Sequence, residues 1–410
     1  MKRNIFLALL AISSLVLLAA CGGAYQSGGG DTDSSEEATE DSNGEKSVVK
    51  IGSISTFSGP FAMYGENIKN GFELYLEQND HKMGGREVEV IYEDSTGDTR
   101  TALRKYRQLV DSEGVDIIIG PILSDEAYAL RDQAEEDKQL IISTNAASND
   151  LSWDKKSDYV FRVASPSNWQ NSRPTAEYLA NHVGKNAVAL APNYDAGHES
   201  IESFKEAFEE AGGTIIEEIY PDLGENDYAS YLINIKELDP DVVWIFLSGN
   251  DLFTFVDQYR EFGLKDEIPL VGDRSMTDNL FIEAVGDTAE GIFSGVYYLP
   301  SFDNEVNNKF VEDYVEMFGI EPNYLAFQGY GSAQAIAKAI EEADSTDSDA
   351  LSEVLKGLTY ESPSGPITID PETHNPKMDF YVAVNKLEDG EIVQELLEEV
   401  PEVTMPPAGN

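Results

Sequence analysis

Residues 115–124 read Val-Asp-Ile-Ile-Ile-Gly-Pro-Ile-Leu-Ser, and residues 241–248 read Asp-Val-Val-Trp-Ile-Phe-Leu-Ser. In each, an acid is followed by an apolar strand and a Leu-Ser step. A strand with one wet face alternates apolar and polar residues. A run without alternation is covered on both faces, as in a parallel sheet flanked by helices. Ser124 and Ser248 then stand at a strand's carboxyl end, where a helix begins. Ligands of parallel sheets collect in the crevice beyond such ends. A helix N-terminus there offers free N–H groups and a positive partial charge suited to a carboxylate. Position alone also fits plain N-caps, worth about 1 kcal/mol each.

The same alternation of elements extends in both directions. VVKIGSI (48–54) reads as a buried strand, and 65–80 has helical periodicity through Ile68, Phe72, Leu74 and Leu76. REVEVIYED (86–94) alternates as a strand, 98–112 is an amphipathic helix, and a helix from about Ser124 leads to a strand at 139–143. The pattern restarts with a helix at 168–183, a strand at 187–190 and a helix at 198–211. It continues to a strand at 291–297, helices near 303–318, 323–342 and 349–358, and strands near 366–369 and 379–385. That is too many strands for one comfortable sheet. The expectation is an α/β chain of two Rossmann-like lobes built on parallel sheets.

The 410 residues include 76 Asp or Glu and 28 Lys or Arg, a formal net charge of −48. Phosphate recognition needs cationic side chains, so a nucleic-acid binder working through a basic face is excluded. Docking on anionic lipid through a polybasic patch is disfavoured for the same reason. At 41% hydrophobic and 10% aromatic, the chain can still build a large core. Residues 1–20 contribute +2, 21–47 contribute −6 and the acidic tail 387–410 contributes −7, which leaves −37 on the body. Self-repulsion on that scale is screened by salt, and the expectation is a halophilic protein working in a salty medium. An ordinary acidic surface that aids solubility is the plainer reading.

Lys2-Arg3, an apolar run from Ile5 to Leu18, and small residues beyond it describe a secretory signal peptide. The run is short for a membrane span, which needs roughly 20 apolar residues. Leu18-Ala19-Ala20-Cys21 looks like a bacterial lipobox, with Cys21 the site of lipid attachment. Cys21 is the single cysteine, so a disulfide framework and a cysteine nucleophile in the body are both excluded. Residues 24–47, nearly all Gly, Ser, Thr and acids, read as a flexible, self-repelling tether.

Catalytic motifs are mostly missing. The sequence has no Walker-type phosphate loop and no Gly-x-Ser-x-Gly. Its four histidines, at 81, 182, 198 and 374, are scattered without metal-ligand spacing. Ser152-Trp-Asp-Lys155 fits S-x-x-K without its companion motifs. Gly329-Tyr-Gly331 lies in a helical stretch without the preceding strand of a dinucleotide fingerprint. Carboxylates are abundant, yet no pair stands out as a glycosidase dyad. The expectation is a protein that is not an enzyme and uses no cofactor or metal.

Over residues 48–386 the sequence resembles the leucine/isoleucine/valine-binding protein family, solute-binding proteins of ABC importers with a type I periplasmic-binding fold. VKIGSISTFSGPFAMYGENIKNGFELYLEQ (49–78) is similar to the family's first strand, ligand loop and helix. GVDIIIGPILSDEAYAL (114–130) and LIISTNAASNDL (140–151) resemble its second and third ligand loops. SYLINIKELDPDVVWIFLSG (230–249) and FGLKDEIPLVGD (262–273) resemble those of the second lobe. GYGSAQAIAKAIEEA (329–343) and LKGLTYESPSGPITIDPETHNPKMDFYV (355–382) match the C-terminal region. The resemblance implies lobe 1 over 48–164 and 297–379, lobe 2 over 165–296 and 380–400, and a tail over 401–410. Residues 1–20 precede these as the leader and 21–47 as the lipid-anchored tether. It implies a three-strand hinge near Val163–Pro166, Val296–Tyr298 and Asp379–Tyr381, with the ligand held between closing lobes.

Residue by residue, the resemblance puts the ring of Tyr64 on the ligand and the hydroxyl of Ser124 on its carboxylate. Ala146 would contribute backbone groups. Ala147 stands where the family often has Thr, with Ser148 as its replacement. In the second lobe, Ala196 stands where a tyrosine is usual, with Tyr194 in compensation, and Ser248 where an aromatic is usual. Asp273 would bind an ammonium, while Arg274 beside it is unexpected for that role and suited to an anionic group. The implied ligand is a branched-chain or other amino acid or an amide, with small carboxylates open. The implied partners are ABC permease subunits in the membrane, and the location is extracytoplasmic, anchored at Cys21. A sensing protein reporting to a receptor or cell-wall enzyme is the alternative on the same fold, and a hydrolase is the third reading.

Overall fold

In the computed structural model, which describes residues 48–408, the unalternated runs are strands of two sheets. The expected leader, Cys21 and the tether fall outside the described residues. The first sheet has the order β2 (Lys82–Met83), β3 (Arg86–Asp94), β1 (Val49–Ser55), β4 (Ile117–Ile119), β5 (Leu140–Ile142) and β6 (Val160–Phe161). Its strands run parallel except for the short β2–β3 hairpin. Helices α1 (Ala62–Gln78), α2 (Thr99–Arg107) and α3 (Ser124–Asp137) connect them. Asp98 caps α2 by accepting from the Thr101 amide, which ends one strand loop and starts the next helix.

The chain then leaves this sheet. A capping box between Ser167 and Gln170 opens α4 (Asn168–His182). There follow β7 (Asn186–Leu190), α5 (Asp195–Glu210), β8 (Thr214–Ile219), α6 (Ala229–Leu238) and β9 (Val242–Ile245). Next come α7 (Gly249–Glu261), β10 (Leu270–Gly272), α8 (Asn279–Val285) and β11 (Phe293–Val296). On the return, α9 (Glu305–Phe318), α10 (Tyr324–Ala343) and α11 (Ser348–Leu355) lead to β12 (Thr359–Ser362) and β13 (Gly365–Ile369). The chain ends with β14 (Pro376–Glu388) and β15 (Glu391–Val403).

The second sheet has nine strands, in the order β12-β13-β14-β11-β10-β9-β7-β8 with β15 on β14. Its β8-β7-β9-β10-β11 half is parallel, as expected, while β14 joins β11, β13 and β15 antiparallel. The mixed sheet follows from the connections: β12–β13 and β14–β15 are hairpins, and a hairpin can only be antiparallel. Residues expected as an acidic tail are instead strand β15 as far as Val403, and Met405 beyond it is buried.

Hydrophobic burial follows the two sheets. One core joins β1, β4 and β5 to α1, α10, β13 and the start of β14. The other sheet is covered on both faces. Phe204 and Trp244 stack at 4.5 Å on one side, and Tyr228, Phe255 and Tyr259 pack on the other.

Helices α1 and α10 touch backbone to backbone. A Cβ on Gly71 would lie 1.9 Å from the Ala326 carbonyl oxygen, and one on Gly329 would lie 1.9 Å from that of Ile68. This contact sets the spacing of the first turns of both helices, which carry Tyr64 and Tyr324. Replacing Gly329 by Ala is expected to cost about 1–3 kcal/mol through overpacking. The measurement is urea unfolding, with a lower midpoint at unchanged slope; an unchanged midpoint would mean that the helices do not meet at this glycine.

Candidate functional site

A cavity of about 220 Å³ lies where the carboxyl ends of the parallel strands of both sheets face each other. From the first sheet, its wall takes Phe61 and Tyr64 after β1, Ile122 to Asp125 after β4, and Asn145 and Ala147 after β5. From the second it takes Tyr194 and Ala196 after β7, Phe246 and Ser248 after β9, and Asp273 and Arg274 after β10. Asn168 at the start of α4, Tyr324 at the start of α10, Gly97 after β3 and Leu223 after β8 complete it.

Ser124 is the first residue of α3 and half-buried; the N-cap position ahead of it is Leu123, which has no side-chain capping bond. Ser248 occupies the N-cap position of α7, also without a side-chain capping bond. The simple cap reading therefore fits neither serine, since Ser124 stands one residue inside α3 and Ser248 makes no capping bond. Gly120, ahead of the Ser124 loop, has φ +106, and a Cβ there would lie 2.0 Å from the Ile54 carbonyl. Only glycine fits that bend. The Tyr64 hydroxyl is pushed up by burial, opposed by hydrogen bonding with Tyr324 and Ser248, so it spans elements of both sheets as a neutral phenol.

The carboxylate of Asp273 is already engaged. It caps its own turn by accepting from the Ser275 amide at 3.0 Å and from the Ser275 hydroxyl, and it accepts from Arg274 Nη1 at 3.1 Å. Arg274 is only 7% exposed. Burial works against its charge, but Tyr297, Asp273 and Tyr324 outweigh burial and hold the guanidinium above its ordinary value. Its central carbon lies 4.8 Å from the ring centre of Tyr324 and 5.7 Å from that of Tyr297, within cation–π range.

Seven of the expected residues meet in this wall: Tyr64, Ser124, Ala147, Tyr194, Ala196, Ser248 and Asp273. Ala146 and Ser148 do not, which corrects the expectation that Ser148 replaces the missing threonine hydroxyl. Successive residues of an extended segment face opposite ways, so Asn145 and Ala147 face the cavity while Ala146 and Ser148 face away. The Ser148 hydroxyl donates to Glu199 of α5 at 2.7 Å and also contacts Tyr128. Glu199 further accepts from Tyr128 at 3.0 Å, the Asn149 amide at 2.8 Å and Asn168 at 3.3 Å. Behind the same loop, Arg162 donates to the Ser148 and Ala146 carbonyls. Burial pushes this guanidinium down to about 10, with Glu199 and Tyr128 opposing.

Sequence reading missed Phe61, Asn145, Asn168, Phe246 and Tyr324. Tyr324 had a usable signal, since Asn323 before a long helical run marks an N-cap, and Asn323 does accept from the Leu325 and Ala326 amides. Among the described residues, no group of three or more His, Cys, Asp or Glu is placed to hold a metal ion.

On the far side of Arg274 and Tyr324, a second cavity of about 190 Å³ is lined by Asp278, Asn323 and Tyr298. Asp278 caps α8 by accepting from the Leu280 amide. Burial pushes its carboxyl up to about 6, against hydrogen bonds from Leu280 and Asn323.

The sequence matches a family model described as periplasmic binding protein over residues 48–391. It is 33% identical to Leu/Ile/Val-binding protein homolog 6 of Brucella abortus (strain 2308) over 351 residues, 84% of this chain and 89% of that one. Its structure is similar to an ABC transporter substrate-binding protein from Sphaerobacter thermophilus, with TM-score 0.82 and 34% identity, covering 87% of this chain and 98% of that one. It is also similar to a solute-binding protein of an ABC transporter from Rhodopseudomonas palustris BisB5 in complex with 3,4-dihydroxybenzoic acid. There the TM-score is 0.82 and the identity 28%, covering 88% of this chain and 99% of that one.

The raised carboxyl of Asp278 gives a pH dependence with a definite sign. Unfolded, Asp278 ionises near its ordinary value of 3.8; folded, it holds its proton up to about 6. Its contribution therefore favours the fold below about pH 4 and is lost as pH rises to about 6. Asp278→Asn retains an acceptor for the Leu280 amide and has no proton to lose. The variant is expected to gain about 1–3 kcal/mol on the wild type between pH 4 and pH 7. Urea unfolding of both proteins across that range is the check, and parallel curves would count against it.

Proposed function

Because the chain belongs to the periplasmic binding protein family, we propose that it captures a small carboxylate and delivers it to the permease of an ABC importer. The observation that carries this reading is the position of Ser124, first residue of α3, in the wall of the cavity beyond the strand ends of both sheets. A ligand carboxylate set there accepts from Ser124 and from the free amides of the first turn, and the helix dipole favours its charge. The Brucella relative is named for amino acids and the Rhodopseudomonas protein holds an aromatic acid. A carboxylate is the chemistry these ligands share. The ring-lined wall supplies apolar contact, and the two sheets supply two bodies that close on a ligand and open to release it.

In this reading Cys21 carries the lipid and residues 24–47 tether the body to the outer face of a membrane. The described residues contain no helix long and apolar enough to cross a membrane. Net charge of −48 on the chain suits a medium of high ionic strength. Stability is expected to rise from low to molar salt, measured by urea midpoint; a midpoint that falls or stays level removes the salt adaptation.

The capture reading is tested by thermal shift over amino acids, amides and small aromatic and aliphatic carboxylates at high salt. A true ligand at 100 times its dissociation constant stabilises by about 2.7 kcal/mol. Ser124→Ala is expected to weaken that ligand about 10- to 100-fold, the range for one hydrogen bond to a charged group, without changing the melting point of the ligand-free protein. If no carboxylate in the panel stabilises the protein, the reading fails.

A further inference from the structure

Arg274 is buried in the cavity wall, and its Nε has no hydrogen-bond partner. The rest of its guanidinium pairs with Asp273, lies over the rings of Tyr324 and Tyr297 and hydrogen-bonds with the Tyr297 hydroxyl. A buried N–H donor without an acceptor is costly, and a guanidinium in this setting favours an oxygen acceptor from the ligand.

The same ion pair removes the obvious receptor for an ammonium. One oxygen of Asp273 accepts twice from Ser275 and the other accepts from Arg274. The other carboxylate in the wall, Asp125, is exposed to solvent. An α-ammonium brought to Asp273 would lie beside a positive charge that already neutralises it. Ser124 enters the wall from the first sheet and Arg274 from the second, and the same wall carries five rings, Phe61, Tyr64, Tyr194, Phe246 and Tyr324, which suit a flat apolar body.

We propose that Arg274 sets the ligand class of the cavity: it receives an oxygen substituent at the far end of an aromatic carboxylic acid and turns α-amino acids away. This rests on the reading that the ligand carboxylate occupies the Ser124 end.

The test is calorimetric titration of the full chain with benzoate, para-hydroxybenzoate, tyrosine and leucine at high salt. Para-hydroxybenzoate is expected to bind about tenfold more tightly than benzoate, and both amino acids more than about a hundredfold more weakly than para-hydroxybenzoate. Tyrosine carries the same phenol on a longer arm, so 3-(4-hydroxyphenyl)propionate, which lacks only the ammonium, is titrated beside it, and the difference between those two isolates the ammonium. Arg274→Met is expected to lower the para-hydroxybenzoate to benzoate affinity ratio about tenfold. An unchanged ratio in that variant, or leucine or tyrosine binding as tightly as para-hydroxybenzoate, overturns the proposal. Should Arg274→Met fail to fold, the wild-type order of affinities decides alone. Benzoate binding with no preference for the oxygenated acid defeats only the role of Arg274, whereas failure of every carboxylate defeats the capture reading and this inference together.

Discussion

The contact on which the binding wall depends is the backbone-to-backbone crossing of α1 and α10 at Gly71 and Gly329. These helices come from opposite ends of the first lobe's sequence, and no side chain separates them. The cavity residues Tyr64 and Tyr324 ride on their first turns, so the distance between the two rings is set by helix axes rather than by flexible loops. Interiors packed at crystal-like density transmit a small displacement instead of absorbing it. A methyl group at the crossing is therefore also a change in the wall some turns away.

Charge is organised differently outside and inside. The surface repels itself and any anion in solution, while the cavity offers an anion the N-terminus of α3 from the first sheet and Arg274 from the second. A carboxylate ligand must approach through an unfavourable long-range field before it meets favourable short-range groups. Salt within a Debye length of about 3 Å at 1 M erases the first effect and leaves the second, because the cavity groups are buried. The buried Asp273–Arg274 pair is better understood as fixing orientation than as adding stability, since desolvation offsets most of its attraction.

Most of the fold was legible because strands buried on both faces leave an unalternated apolar run, and the helices between them carry 3.6-residue periodicity. Ser124 and Ser248 were legible as cavity residues because strand carboxyl ends are where such sheets hold ligands, and Tyr64 only through the family resemblance. What escaped has identifiable causes. β6 is two residues long and carries no pattern. β15 reads as an acidic tail because its exposed positions are mostly glutamate, and its pairing with β14 is invisible locally. Ser148 could not be separated from Ala147 without knowing which way an extended loop faces. The engagement of Asp273 by Arg274 and Ser275 is a matter of rotamers within three adjacent residues, which residue type does not determine.

The hairpin of β14 and β15 has a mechanical meaning. β14 pairs with β13 at Lys377 and Pro376 and with β11 from Tyr381 to Val384, so it passes from one core to the other, and β15 runs along its free edge throughout that passage. The β14–β15 register slips between Met378 and Phe380 and again between Val382 and Ala383, on either side of the crossing point. One strand between two bodies is a string that allows bending and twisting alike. Two bonded strands form a leaf spring, stiff in its own plane and compliant across its face, and the two slips mark where the leaf is thinnest. Were one sheet to swing against the other, as the proposed capture of a ligand requires, the C-terminal ribbon would give that swing a preferred axis and a restoring force.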